Sequence, residues 1–278
     1  SCLVYLKAVR NELSVNEKKI ADFILNNAAL IRDYSSQNMA ASVGVSQSSI
    51  IKFSQKLNYR GFTDLKLAIH ESVVKSEGPD QSIVESNMSG PQTDSIAQQL
   101  NLIKNEALVT TMELNAEDSM AAAVDVLEKS RRIQIIALGA GSLVARNFAS
   151  LLIQIGKSVI AEVDTYIQLS SIATLGKGDA VFVISFSGQS AKMVKLTQQA
   201  KKAGASIISL TNYSANPIRS LADIRLFSVG KEGRFEVPQI ISSASQQHVV
   251  DILFSMMVKR DSKAMELLSL SRKAVENL

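Results

Sequence analysis

The sequence predicts an α/β protein in two parts: an all-α helix-turn-helix segment, then a parallel five-stranded sheet covered by helices on both faces. Three observations predict it. Strand and helix patterns alternate from Ile133 to Ser228, at the spacing of parallel strands joined by crossover helices. Val181 to Ile184 is an unbroken run of β-branched and aromatic residues, as in a strand buried on both faces. Two short helical patterns also meet at Gly44, with Ala40 four residues before it and Ser46 two after it.

The 278 residues favour two domains and leave ample chain for a core. A 46% hydrophobic and 20% charged composition is that of a soluble cytosolic protein, so a cytoplasmic location is expected. No apolar run reaches the roughly 18 residues that a membrane span requires. Residues 1–10 lack the apolar centre and cleavage site of a signal peptide. The single cysteine, Cys2, excludes an intramolecular disulfide. His70 and His248 have no Cys or His at ligand spacing, so neither a metal site nor a cofactor is expected. Residues 1–78 hold ten Lys/Arg against seven Asp/Glu, and the rest hold twenty against nineteen. This excess points to a polyanionic partner for the first part.

In chain order, Asn16 to Leu30 has helical spacing, with Ile20, Phe23, Ile24 and Ala28 apolar. Ser35-Ser36 opens a second helix that Gly44 stops, and Ser46 caps a third running to about Leu57. Ile50 and Phe53 face the preceding helix. That directs Gln47, Ser48, Ser49, Ile51 and Lys52 outward, residue types that read base edges, hold phosphates or touch a thymine methyl. Ser46, Gln47, Ser48, Ser49 and Lys52 are thus the candidate DNA-binding face. Lys56, Arg60 and Lys66 are positioned to grip flanking backbone, opposed only by Asp64. A helical hairpin packed on protein is the plainer alternative. Phe62 to Lys75 is a further amphipathic helix.

Residues 76–95 break every pattern with Gly78, Pro79, Gly90 and Pro91 among polar residues. They divide a domain of residues 1–75 from one of residues 96–278. The second domain opens with helices over 96–114 and 117–130. Strands are expected over 133–138, 158–161, 180–184, 206–210 and 224–228. Helices are expected over 142–155, 166–174, 191–203, 217–221, 243–259 and 263–278.

Two loops carry the chemistry. The strand ending at Ile184 runs into Ser185-Phe186-Ser187-Gly188-Gln189-Ser190 and then into a helix. A turn with three hydroxyls at a helix N-terminus favours an anion, where a cap alone needs one. Gly139-Ala140-Gly141-Ser142 likewise follows a strand and opens a helix. It approaches the dinucleotide fingerprint, with Glu162 and Asp164 at the distance of a ribose-binding acid. Val144, however, stands where the third glycine must let helix and strand pack closely. The loop serves equally as a second wall of a phosphate pocket, with Ser142 as a donor.

These motifs resemble a known arrangement. G-x-G-S after the first strand and S-F-S-G-Q-S after the third resemble the SIS domain, the sugar isomerase fold that binds phosphosugars. Gly44-Val45-Ser46-Gln47-Ser48-Ser49-Ile50 with Phe53 resembles the N-terminal domain of RpiR-type bacterial transcriptional regulators. The resemblance implies a repressor of a sugar or amino-sugar catabolic operon whose affinity for double-stranded operator DNA responds to a sugar phosphate. It implies phosphate-binding roles for Ser142, Ser185, Ser187, Gly188, Gln189 and Ser190, and Glu232 falls where SIS isomerases carry a catalytic glutamate. Gly141, Glu162, Asp164 and Glu232 are the candidate sugar-binding residues. An N-acetylhexosamine 6-phosphate, such as that of N-acetylmannosamine, is the expected effector. Tyr166 stands where some such regulators carry a histidine.

The competing class is a phosphosugar isomerase. It needs a base and a ring-opening group, for which Glu232 and His248 are the candidates, with Glu162, Asp164 or Glu236 as substitute bases. An outward-facing DNA-reading helix has little purpose in such an enzyme, so no catalytic residue is expected. Two small DNA-binding heads on a homodimer match a palindromic site, and the second domain with its closing helices supplies the expected dimer surface.

Overall fold

The computed structural model describes residues 2–10, 13–76, 95–230 and 238–276. The chain forms two compact units, Ser1–Ser95 and Ile96–Leu278. The linker expected over 76–95 lies outside the described residues except at its ends.

The first unit is all helical: α1 (Cys2–Val9), α2 (Val15–Asn26), a 3-10 turn (Ile31–Asp33), α3 (Ser36–Val43), α4 (Gln47–Lys56) and α5 (Phe62–Ser76). Helix α1 was not expected from the sequence. Its buried Cys2, Leu6 and Val9 pack against α5, and the Cys2 N–H donates to Ser72 Oγ at 2.9 Å, so tertiary contact rather than propensity holds eight residues helical. Helix α2 starts as expected, where the Glu17 carboxylate accepts from the Ser14 N–H at 2.7 Å. It stops four residues short of Leu30 because Asn27 Nδ2 takes the Phe23 carbonyl and the chain turns into the 3-10 segment. Gly44 leaves α3 in the left-handed region at φ 74°, and the Val45 N–H closes on the Ala40 carbonyl. Ile20, Ile24, Met39, Ile50, Phe53, Leu65 and Ile69 form the buried centre.

The second unit runs α6 (Ile96–Leu114), α7 (Glu117–Lys129), β1 (Ile133–Ala137), α8 (Gly141–Gln154), β2 (Val159–Ile160), α9 (Thr165–Ala173) and β3 (Ala180–Ile184). It continues with α10 (Ala191–Ala203), β4 (Ser206–Thr211), α11 (Pro217–Leu221), β5 (Ile224–Phe227), α12 (Pro238–Arg260) and α13 (Ser262–Glu276). The sheet is parallel throughout, in the order β2-β1-β3-β4-β5. Residues of β3 alternate between two cores. Phe182 and Ile184 face α7, α8, α12 and α13, while Val181 and Val183 face α9, α10 and α11. Both faces are therefore dry, as the unbroken apolar run of β3 requires. Helix α12 begins five residues before the expected Ser243, with Pro238 at its first position, where a missing N–H costs nothing. Among the described residues no helix is long and apolar enough to cross a membrane.

Candidate functional site

In the first unit, α4 begins at Ser46, whose Oγ accepts from the Ser49 N–H at 3.2 Å and lies 2.9 and 2.8 Å from the hydroxyls of Ser48 and Ser49. Gln47 Nε2 donates to Ser36 Oγ at 2.9 Å and ties the head of α4 to the head of α3. Ser46, Gln47, Ser48, Ile51 and Lys52 are exposed on this head, with Ser49 half-buried. The arrangement can offer N–H groups and hydroxyls to a phosphate, and an amide to a base edge.

The flanking cations differ from expectation. Lys56 Nζ lies 2.8 and 2.9 Å from the two carboxylate oxygens of Glu17, thirty-nine residues earlier. Burial raises the Glu17 pKa, but the bonds from Lys56 and Ser14 outweigh it and hold the carboxyl below its ordinary value. Lys56 is thus partly neutralised, and Lys66 donates to the Tyr34 carbonyl at 3.3 Å. Arg60 is exposed, and Asp64 accepts from its backbone N–H.

In the second unit, β1 and β3 are neighbours whose following helices, α8 and α10, pack on opposite faces of the sheet. Such a switch point opens a crevice at the strand ends. A cavity of about 210 Å³ lies there, lined by Leu138, Ala140 and Gly141 after β1 and by Ile184, Ser185, Phe186, Ser190 and Met193 around β3 and α10. Gln239, Ser242, Ser243 and Gln246 of α12 close it. Pockets for drug-sized ligands span about 300–1,000 Å³, so this one suits a phosphate and part of a sugar ring better than a dinucleotide. Val144, at the third-glycine position, is buried in the core.

Ser190 is the N-cap of α10, yet its side chain makes no capping bond, and no acidic residue occupies the first turn. The N–H groups that open α10 have no intrahelical acceptor, so the hydroxyl and the helix head remain available to an anion. The Ser185 N–H is held by the Leu210 carbonyl, which fixes the backbone from which its hydroxyl projects. Ser187 and Gln189 lie exposed on the same turn, and the Gln189 N–H donates to Ser187 Oγ at 3.3 Å. Gly188 is buried behind the turn at φ 64°.

Not every expected residue converges. Ser185, Ser190 and Gly141 line the cavity, whereas Ser142 turns its hydroxyl to the Gly139 carbonyl at 2.6 Å. Asp164 caps α9, accepting from the N–H groups of Tyr166 and Ile167, so its carboxylate has a local structural role. Tyr166 is 83% exposed. Glu162 lines a different, larger cavity of about 800 Å³ between α8, β2 and α13. That cavity carries Arg146 and Arg272, but Glu162 and Glu276 stand beside them and its described lining has no hydroxyl turn or helix head, whereas the smaller cavity offers donors with no carboxylate in its described lining. Glu232 and Glu236 lie outside the described residues. Among the described residues that line the smaller cavity there is no acid or histidine, and no cluster of His, Cys, Asp or Glu could hold a metal ion.

The α12 wall escaped the sequence reading. Its signal was present: Gln239, Ser242, Ser243 and Gln246 fall at i, i+3, i+4 and i+7, a polar stripe on one helical face.

Comparisons with known proteins agree with this anatomy. The helix-turn-helix domain of the rpiR family matches residues 1–76, and the SIS domain matches residues 126–256. The chain is similar to the NanR protein of Vibrio vulnificus, solved in complex with ManNAc-6P. Identity is 23% and the TM-score 0.63, over 100% of this chain and 98% of that one. It is similar to the sugar isomerase domain of an RpiR transcription factor from Sphaerobacter thermophilus, with 20% identity and a TM-score of 0.57, over 66% of this chain and 100% of that one. A phosphoheptose isomerase from Francisella tularensis matches at 16% identity and a TM-score of 0.50, over 60% of this chain and 100% of that one. At these identities the likeness is one of fold.

Proposed function

We propose, from the premise that this chain is an RpiR-type protein joining an rpiR-family helix-turn-helix domain to a SIS domain, that it represses a sugar or amino-sugar catabolic operon. An N-acetylhexosamine 6-phosphate, N-acetylmannosamine 6-phosphate being the best candidate, binds the strand-end cavity and controls DNA affinity. One observation carries this reading. The hydroxyl turn Ser185–Ser190, the open head of α10 and the amide-and-hydroxyl face of α12 border a single cavity. The first two suit a phosphate dianion. The described lining of the third is polar but uncharged, which suits sugar hydroxyls and an N-acetyl amide better than a free ammonium. NanR of Vibrio vulnificus, with its ManNAc-6P, lends the choice of sugar some support.

The DNA-reading element in this proposal is α4. Ser46, Gln47, Ser48, Ser49 and Lys52 make the central contacts, and Arg60 a flanking one. A homodimer supplies the second head. Its surface is drawn from α8, α13 and the β2 edge, where Ile153, Ile160 and Val275 are exposed around the larger cavity. Arg146 and Arg272 stand there with Glu162 and Glu276, a set that a two-fold axis can pair with itself.

Thermal melts with N-acetylmannosamine, N-acetylglucosamine and glucosamine 6-phosphates test the effector. A ligand at 100 times its Kd stabilises by about 2.7 kcal/mol, and the two N-acetyl compounds should shift the melt more than glucosamine 6-phosphate. A stronger shift from glucosamine 6-phosphate would overturn the choice of sugar, and no shift from any would overturn the effector reading.

A further inference from the structure

Helix α6 is the first described element after residues 77–94, and its last turn and the residue that follows it are bonded to the end of the edge strand β5. Asn115, 6% exposed, donates from Nδ2 to the Phe227 carbonyl at 2.8 Å and accepts at Oδ1 from the Phe227 N–H at 2.8 Å. One side-chain amide thus pairs with a β5 peptide as a neighbouring strand would, and it closes a sheet edge that otherwise presents unpaired groups. One turn earlier, the fully buried Thr111 accepts at Oγ1 from the Val229 N–H at 3.2 Å. Asn115 Nδ2 also donates to the Thr111 carbonyl, so the two anchors form one unit.

The residue after Val229 meets the candidate pocket. A Cβ built on Gly230 would fall 2.5 Å from Cζ of Phe186, so that ring is seated directly on the Gly230 backbone. Phe186 belongs to the hydroxyl turn and lines the cavity, and the Asn212 N–H donates to its carbonyl at 2.7 Å. Helix α6 also packs along α12, the helix that carries Gln239, Ser242, Ser243 and Gln246. It is therefore fastened to the supports of both cavity walls.

We propose that Thr111 and Asn115 are positioning residues that couple the cavity to α6, and through α6 to the chain leading to the helix-turn-helix unit. The proposal rests on the effector reading above. A ligand that draws in the Ser185–Ser190 turn moves the Phe186 ring on Gly230. The strand end at Phe227–Val229 then takes a new position, and its hydrogen bonds carry α6 with it. An edge cap with only a structural duty would stabilise the fold and leave ligand response untouched. The test therefore separates response from affinity and from stability.

The test uses the full chain, duplex DNA selected by the parent from a random-sequence pool, and N-acetylmannosamine 6-phosphate, N-acetylglucosamine 6-phosphate and inorganic phosphate as probes. Direct titration of the parent comes first. If no probe binds, the effector reading fails and takes this proposal with it. With a binding probe, the parent should change its DNA Kd within the ordinary allosteric range, about 5- to 150-fold. Thr111→Val removes the acceptor for the Val229 N–H at nearly constant volume. It should bind the probe within about threefold of the parent, yet reduce that DNA response to less than about twofold, whereas Thr111→Ser should restore it. A Thr111→Val protein with parental response overturns the proposal, as does one that loses response and probe affinity together. Should Thr111→Val fail to fold, hydrogen exchange on the parent decides. The probe should alter protection of the Phe227 and Val229 amides together with the α6 amides, and unchanged protection at these sites overturns the coupling.

Discussion

Asn216 occupies the space that a side chain on Gly188 would need. A Cβ at Gly188 would fall 2.0 Å from Asn216 Oδ1 and 2.2 Å from its Cγ. Asn216 is not free to yield. It is buried, its Oδ1 accepts from the Arg219 N–H at 2.8 Å, and its Nδ2 reaches Thr211 Oγ1 and the Ser214 carbonyl. The same contact holds the Ser185–Ser190 turn against the end of β4 and the start of α11.

Gly188→Ala should therefore do more than add strain at φ 64°, which alone costs roughly 1–2 kcal/mol. It should push the hydroxyl turn off Asn216. The expected result is a lowered melting temperature, loss of sugar-phosphate binding and retained DNA binding in its absence. Calorimetric titration checks it, and parental affinity for the effector in this variant would show that the turn does not bind the ligand.

Ser185→Ala and Ser187→Ala each remove one hydroxyl that the proposed function assigns to a phosphate. Hydrogen bonds to charged groups contribute roughly 1.5–3 kcal/mol, so each change should weaken effector binding by about 10- to 150-fold. Ser185 lines the cavity, whereas Ser187 is exposed and bonded to its own turn. The loss at Ser185 should be the larger. Fluorescence anisotropy on duplex DNA, with and without effector, reads the result. A double variant responding at parental effector concentration would refute the phosphate site.

The Lys56–Glu17 pair makes a prediction of opposite sign for the first unit. Glu17→Gln keeps an acceptor for the Ser14 N–H while releasing Lys56. DNA affinity should rise, and the salt dependence should steepen by about 0.9 in log–log slope if one phosphate is gained. Lys52→Ala or Arg60→Ala should flatten the slope by a similar amount. An unchanged slope in all three proteins would remove α4 and its flank from the DNA interface.

Asp179 anchors the opposite end of the sheet. Its carboxylate is fully buried, 2.8 Å from Arg132 and 3.3 Å from Arg131, and it accepts from the Gly176 N–H. The Arg132 hydrogen bond, chiefly, holds its pKa below the ordinary value. A depressed carboxylate stabilises the fold above the unfolded-state pKa of about 3.9, and the contribution fades as pH falls through the folded-state value. Asp179→Asn should thus cost roughly 1.5–3 kcal/mol at pH 7. The deficit should narrow only below about pH 4. Urea unfolding at both pH values measures it, and a deficit independent of pH would deny the carboxylate this role.

Much of this protein is legible from local pattern. The order of strands and helices in the second unit follows from periodicity, because burial on one stripe or on both faces imposes a repeat that a short window reveals. The turn at Gly44 and the caps at Ser35 and Ser46 follow for the same reason. The hydroxyl turn was recognisable because strand, serines and helix are contiguous.

What tertiary structure alone decided involves residues far apart in the chain. Lys56 belongs to Glu17, Gly188 to Asn216, Thr111 and Asn115 to the end of β5, and the Gln239–Gln246 stripe of α12 to the cavity. Asp164 and Ser142 carried the right chemistry in the right region, yet local hydrogen bonds claimed them first. Periodicity fixes which face of an element is buried. It does not fix which partner meets that face, and a side chain's role depends on whether the nearest unpaired group is a backbone N–H, an opposite charge or an open cavity.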